Sequence, residues 1–166
     1  MDQSSKQMNK DLILPGRLPA QLVVFSLGEN RFGIDLWATE RIIQSVEITA
    51  LPGLPSIVSG IIKVNELIIP VFNVRKRFNL PLCEMELTDR IIIATTSKRK
   101  VALLVDGIEG VYDTEGNLPV SSAGFLPSLK YVQGVVQLDG GLVLIHNLED
   151  FLSLEEETML TNALND

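Results

Sequence analysis

The chain has 166 residues, 46% of them hydrophobic and 21% charged, a size and balance expected of one soluble globular unit or two very small ones. A single cysteine, Cys83, and a single histidine, His146, exclude an intrachain disulfide and a thiolate or polyhistidine metal cluster, so no cofactor is expected and a reducing cytoplasm is the simplest compartment. The net charge of −7 is local: residues 1–130 carry 14 bases against 14 acids, and the seven acids after Lys130 face no base in sequence, which argues against the many Lys and Arg contacts that a nucleic-acid backbone demands.

Residues 1–20 are polar, contain Pro15, Gly16 and Pro19, and hold no sustained period, the pattern of a flexible N-terminal arm. Charges interrupt this stretch, which does not read as a secretory signal, and the longest apolar runs, such as 67–72, fall far short of the roughly 18–20 residues that span a bilayer. From Gln21 onward, short runs rich in β-branched residues recur between turn formers, predicting strands at 22–27, 31–36, 42–48, 58–64, 67–74, 90–95, 100–105, 110–113, 131–138 and 142–147. Ten short strands at this spacing predict a barrel or sandwich. Gly28-Glu29-Asn30 and Asp139-Gly140-Gly141 supply the turn residues of two tight hairpins. Helical period is confined to 74–78, 148–152 and 154–164; in the last, Leu154, Met159, Leu160, Ala163 and Leu164 share a face. Ser153 is placed to cap that helix, with Glu155, Glu156 and Glu157 at its positive end.

An internal repeat organises the chain. Residues 60–78 lie over 134–152 without a gap, matching Gly60 to Gly134, Asn73 to Asn147 and Val74 to Leu148, and 31–42 lie more weakly over 100–111. Two five-stranded units follow, each too small to bury its own apolar residues, so the two halves are expected to pack on one shared core.

Five segments in order, Leu22-Val-Val-Phe-Ser-Leu-Gly with Phe32-Gly-Ile-Asp, Leu51-Pro with Pro55-Ser-Ile-Val-Ser-Gly-Ile-Ile, Ile69-Pro-Val-Phe-Asn-Val-Arg, Val101-Ala-Leu-Leu-Val-Asp-Gly, and Tyr131-Val-Gln-Gly-Val-Val-Gln-Leu-Asp-Gly, resemble the CheW family of chemotaxis coupling proteins. The resemblance implies an all-β fold: two interlocked five-stranded β-barrel subdomains around a shared core, with short helices and a C-terminal helix. It divides the chain into an arm at 1–20, a CheW-like domain at 21–152 and an acidic helix or tail at 153–166. It also implies a non-catalytic cytoplasmic adaptor that joins the regulatory domain of a CheA-type histidine kinase, itself built on a similar module, to the cytoplasmic tips of chemoreceptors. Neither direct membrane insertion nor nucleic-acid binding belongs to this role. Its partner-binding residues would include Trp37, Thr39, Arg41, Ile42, Asn65 and Arg75. Most relatives carry Glu at the position of Arg41 and an Asn-Leu-Arg-Gly stretch where this chain has Lys63-Val-Asn-Glu66, so both charged receptor-contact positions are altered. This points either to a specialised receptor set or to another partner. Glu66 and Arg41 would restore a pair of opposite sign only if a turn at Asn65-Glu66 brought Glu66 to the right face.

Each of these residues also has a plainer reading. Arg75-Lys76-Arg77 and Lys98-Arg99-Lys100 fit a solvated helix turn and a solvated hairpin tip. His146, among Leu144, Ile145 and Leu148, fits a structural histidine, and Cys83 a linker or small buried residue. Trp37 could anchor a partner helix or plug a barrel end. An enzyme is the rival class, but the chain carries no nucleophile elbow, phosphate-binding loop or zinc-protease motif; only a carboxylate pair such as Asp106 with Asp139 is left, and both precede glycine as turn residues do. A small-ligand barrel is the variant of that rival, and a nucleic-acid-binding barrel would need a basic face studded with aromatics, whereas Phe25 and Phe72 fall on apolar strand faces.

Overall fold

The strands follow from runs of Val, Ile, Leu and Phe that are apolar at consecutive positions rather than alternate ones, which suits strands buried on both faces. In the computed structural model, which describes residues 18–114, 119–120 and 131–165, there are eleven: β1 (Gln21–Leu27), β2 (Asn30–Asp35), β3 (Thr39–Gln44), β4 (Val58–Val64), β5 (Leu67–Phe72), β6 (Arg90–Thr95), β7 (Lys100–Val105), β8 (Gly107–Asp113), β9 (Pro119–Val120), β10 (Val132–Leu138) and β11 (Gly141–His146). A 3-10 turn, Leu36–Ala38, precedes β3; helix α1 (Val74–Arg77) follows β5, and helix α2 (Leu154–Asn165) ends the described chain. The expected arm lies, up to residue 17, outside the described residues; Leu18 already packs on the first barrel, and the Pro19 and Ala20 carbonyls accept from Thr114 Oγ1 at 2.6 and 3.1 Å.

The two sheets do not correspond to the two repeats. One runs β8-β1-β2-β11-β10-β9 and the other β3-β6-β7-β5-β4. By the repeat, β1 and β2 match β6 and β7, while β3, β4 and β5 match β8, β10 and β11. Each sheet therefore takes its first two strands from one half and the rest from the other. The exchange is made by four pairings between the halves: antiparallel β1 with β8 and β3 with β6, and two parallel ones at matching positions, Ile145 with Gly33 between β11 and β2, and Val71 with Ala102 between β5 and β7. This is the interlocked all-β architecture that the resemblance implies.

Closure repeats as well. Beyond β3 the chain returns to β4, where Thr49 and Ile61 exchange backbone hydrogen bonds of 2.9 and 2.8 Å. Beyond β8 it returns as β9, which pairs Val120 with Val135 of β10, and Val135 is the repeat mate of Ile61. Next to each closing residue sits a glycine beside a bulge, Gly60 and Gly134. Gly60 is irreplaceable for a spatial reason, because a Cβ there would sit 2.4 Å from the Thr49 carbonyl oxygen and 2.8 Å from Ile48 Cγ2.

Two-sided burial gives three apolar clusters. Leu22, Val24, Val136, Val143 and Ile145 fill the first barrel; Ile62, Ile69, Val71, Ile91 and Ile93 fill the second. The alternate residues of the same strands, Val23, Phe25, Leu27, Ile92, Ala94 and Leu103, meet between the barrels in the shared core. A stack of aromatic rings runs through that core: Phe72 on Phe151 with centroids 4.4 Å apart, Phe151 on His146 at 5.1 Å, and His146 on Phe78 at 5.2 Å. His146 occupies the repeat position of Phe72. It is 2% exposed, and neither ring nitrogen has a hydrogen-bond partner. Burial, reinforced by the nearby Arg77 charge, pushes its pKa down to about 3, so the ring is neutral and acts as an aromatic plate.

Helix α2 closes the seam between the barrels. Ser153 and Glu156 form a reciprocal capping box, with Glu156 N donating to Ser153 Oγ at 3.1 Å and Ser153 N to Glu156 Oε1 at 2.9 Å. Leu160 is fully buried in the shared core. Two arginines hold the first turn, Arg77 on Glu156 and Arg99 on Glu157, both at 2.6 Å. Arg77 also donates to the Tyr131 hydroxyl at 2.7 Å and lies over its ring. Burial works against ionisation of Glu156, but the Ser153 N–H and the Arg77 charge outweigh it and hold this carboxyl below its ordinary value.

The structure corrects several expectations. The third strand spans 39–44 rather than 42–48: its partner β6 begins at Arg90, opposite Gln44, so the Ser45 N–H reaches only the Asp89 carbonyl, at 3.3 Å, and the ladder stops. The expected helical turn at 148–152 is a run of turns and bends, too short to nucleate, though it still delivers Leu148, Phe151 and Leu152 to the core. The eighth strand begins at Gly107 rather than 110, and the two-residue β9 is too short to show in any periodicity.

Two outcomes follow for stability. Gly60→Ala should cost about 2 kcal/mol or more in urea unfolding, whereas Gly107→Ala, whose Cβ would meet only Ser26 Oγ at 3.6 Å, should stay within about 0.5 kcal/mol. Because folded His146 refuses a proton that the unfolded chain accepts, its contribution is complete above the unfolded pKa of about 6.5 and falls by about 1.4 kcal/mol per pH unit as pH drops toward 3. Unfolding midpoints at pH 7 and pH 5 should therefore differ less in His146→Phe than in the wild type.

Candidate partner-binding surface

The surface begins where β2 leaves the shared core. Asp35 accepts the Trp37 backbone N–H at 3.0 Å and so forms the 3-10 turn, which tucks Leu36 against the core and turns Trp37 outward. Trp37 is 82% exposed, so the barrel-plug reading is excluded. Thr39 Oγ1 donates to the Asp35 carbonyl at 3.2 Å, fixing the entry into β3. A bulge between Thr39 and Arg41 then breaks the register with β6. Glu40 is taken by Lys100 at 2.8 Å, while the Arg41 side chain is exposed and makes no hydrogen bond or ion pair with any described residue. Ile42 and Val46, which sequence reasoning did not single out as a pair, are both 40% exposed.

Asn65 lies apart from this edge, at the tip of the β4–β5 hairpin. Asn65 and Glu66 take φ of 48° and 70°, the two left-handed residues of a tight hairpin turn. The turn on which a restored pair with Arg41 depended does form, but Glu66 pairs with Lys63 within its own hairpin, at 3.6 Å. Leu67 and Ile68 beside it are each 49% exposed. This apolar tip was missed because adjacent apolar residues in a strand read as doubly buried; only the turn position reveals that the barrel ends there. Leu82 and Leu87, on the connector before β6, are also exposed, and Cys83 lies between them, exposed.

Arg75 belongs to a third place. Its guanidinium holds both oxygens of Asp106 at 2.7 Å and the Pro81 carbonyl at 2.9 Å, and Asp106 also accepts the Gly28 N–H at 2.7 Å. One ion pair thus ties α1, the β1–β2 turn, the β7–β8 junction and the connector together. The basic trios are not left to solvent as expected: Lys76, though exposed, donates to the Ser56 carbonyl, Arg77 and Arg99 hold α2, and Lys100 holds Glu40; of the six, Lys98 is the one whose side chain has no partner among the described residues. The structure therefore brings Trp37, Thr39, Arg41 and Ile42 onto one edge and separates them from Asn65 and Arg75.

Of the two acids weighed as a catalytic pair, Asp106 is committed to Arg75 and Asp139 sits exposed at the β10–β11 turn. A cleft of about 200 Å³ opens beside Arg75, Cys83, Asp89 and Asp106. Two of its acids serve structure, Asp106 holding Arg75 and Asp89 accepting the Glu86 N–H at 2.8 Å. Among the described residues, no helix is long and apolar enough to cross a membrane.

The sequence profile of the CheW-like domain matches residues 21–156. The chain belongs to the CheW-like domain family. A chemotaxis protein CheW of Treponema pallidum is 27% identical over 148 residues, 86% of this chain and 87% of that one; one of Thermotoga maritima is 28% identical over 133 residues, covering 80% and 87%. The crystal structure of the scaffolding protein TtCheW from Thermoanaerobacter tengcongensis superposes with a TM-score of 0.71 at 28% identity, over 84% of this chain and 96% of that one. The family match ends at Glu156, the residue that Arg77 grips, so most of α2 lies beyond it.

Replacing Arg75 by Met leaves Asp106, with the Gly28 N–H still upon it, short of its cation. The expected loss is about 1–2 kcal/mol of unfolding free energy, with Asp106→Asn losing a similar amount and the double variant losing less than the sum. A double-mutant cycle in urea measures it; additive losses would mean the pair is not coupled.

Proposed function

We propose that this chain is a non-catalytic chemotaxis adaptor that couples chemoreceptors to a CheA-type histidine kinase in the cytoplasm. The observation that carries this reading is the match to the CheW-like domain over 21–156, joined to a superposition covering nearly all of a solved CheW scaffold. The physical chemistry agrees with it. The barrel interiors are filled by their own side chains, and the apolar groups exposed outside them include Trp37, Ile42 and Val46 on one edge and the Leu67-Ile68 tip. Such groups suit protein docking.

In this reading the protein makes two separable contacts. The edge from Trp37 to Val46, with Thr39, Arg41 and Ile42, receives a receptor helix, and the β4–β5 tip around Asn65 and Leu67 meets the kinase regulatory domain. Arg75 acts through Asp106, as a positioning residue behind both. The core between them supplies the stiffness a coupler needs, because a shift at one contact is passed on only if the body does not yield. Kinase docking is the firmer half, since Arg41 on the receptor edge stands where most relatives carry Glu.

The test is to mix the purified protein separately with the regulatory domain of a CheA-type kinase and with a receptor cytoplasmic tip. Leu67→Asp should weaken kinase-domain binding about tenfold or more and leave tip binding within twofold; Trp37→Ala should do the reverse. Failure of the wild type to bind the kinase domain at micromolar concentration would overturn the proposal.

A further inference from the structure

Helix α2 rests on a thin base. Of its twelve residues one, Leu160, is buried, four are half-buried and seven are exposed. A helix of this length is marginal by itself in water, and its last turn holds no base to oppose the negative end of its dipole. Its own chemistry helps at the first turn, where Ser153 and Glu156 cap each other. The rest of its order comes from docking.

That docking is built from a few side chains. The chain leaves β11 in the first sheet, buries Phe151 and Leu152, and then lays α2 against parts of the second sheet. Arg77, in the helix after β5, donates to Glu156 at 2.6 Å; Arg99, in the β6–β7 turn, donates to Glu157 at 2.6 Å and to Thr161 Oγ1 at 3.0 Å. Leu160, with Leu164 half-buried beyond it, supplies the apolar grip on the shared core. Open clefts flank the helix on both sides. One of about 500 Å³ lies between Leu51-Pro52-Gly53 and Met159, Asn162 and Ala163; one of about 550 Å³ lies between Lys98 and Arg99 and the face that carries Thr158 and Thr161. No strand ladder includes α2, so its contacts can break while both sheets stay paired.

We infer that Ser153–Asn165 is a releasable strap, hinged at the buried Leu152: closed, it ties the end of β11 to the second sheet through Arg77, Arg99 and Leu160, and open, it melts as one unit over two intact sheets. An element with one buried side chain and half-buried ion pairs opens at a fraction of the free energy that strands buried on both faces require. The tie at this end of the seam is thereby adjustable, whereas the strand pairings are not. Arg99 and Glu157 set how often it opens, because breaking one half-buried pair leaves the other charge without its partner.

The experiment is amide hydrogen exchange on the full chain, read separately for α2 and for the central strands β1, β2, β6 and β7. In the wild type α2 should exchange about a hundredfold or more faster than those strands, relative to the unstructured rate. Arg99→Glu should speed α2 about tenfold further and leave the strands within about twofold, and the exchanged pair Arg99→Glu with Glu157→Arg should bring α2 back to within about threefold of the wild type. A common rate for α2 and the central strands in the wild type would overturn the strap, as would a variant that speeds both alike. An exchanged pair that leaves α2 as fast as Arg99→Glu alone would overturn the part given to the ion pair. Should Arg99→Glu fail to fold, Leu160→Ala makes the same comparison: faster exchange confined to α2 upholds the strap, and faster exchange throughout overturns it.

Discussion

The fold depends on pairing strands of one repeat with strands of the other: antiparallel β1 with β8 and β3 with β6, and the short parallel pairs Gly33 with Ile145 and Ala102 with Val71. They graft β1 and β2 onto four strands of the second repeat, and β6 and β7 onto three of the first. A chain joined in this way cannot separate its two repeats without breaking both sheets, and every central strand has one face inside a barrel and the other in the shared core. Val23 and Val24 illustrate it: neighbours in sequence, one lies between the barrels and the other inside the first. The body that results is rigid because no face of its central strands is left to solvent, which is the property a mechanical coupler requires.

Arginine is the second structural theme. Four guanidiniums fasten elements distant in sequence, with α2 held by Arg77 and Arg99 and the β1–β2 turn linked through Asp106 to Arg75. Bidentate, always-charged groups suit such half-buried joints, where a lysine would hold a single point. The pairing also explains why few cations are free among the described residues of a chain with a surplus of acids. Against that background Arg41, an exposed guanidinium without a partner among the described residues, is a departure, since the fold elsewhere spends its guanidiniums on holding itself together.

The C-terminal acids show how an apparent surface feature becomes structural. Glu155, Glu156 and Glu157 favour the positive end of α2 by dipole alone, but Glu156 and Glu157 also meet Arg77 and Arg99 from parts of the chain far away in sequence. The negative charge concentrated after Lys130 is therefore partly neutralised in place. In the shared core His146 plays a similarly quiet part, filling the position of Phe72 in the other repeat with a neutral ring.

Strands, tight hairpins, the capping signal at Ser153 and the internal duplication were legible in the sequence because they arise from local chemistry: β-branched runs, residues that tolerate φ > 0, and a hydroxyl three residues before a carboxylate. Trp37, Thr39, Arg41 and Ile42 could be grouped because they are neighbours along the chain, but their separation from Asn65 and Arg75 could not be read, since it depends on where β3, the β4–β5 tip and α1 lie in space. Likewise, strand ends follow the partner's length, so β3 stopped at Gln44 where β6 begins, and the basic trios looked solvated because their acids come from remote segments. Local composition determines which elements form and which faces are apolar; only the tertiary structure decides which half each strand joins and which charges find partners, because both are settled by contacts between residues that sequence order keeps apart.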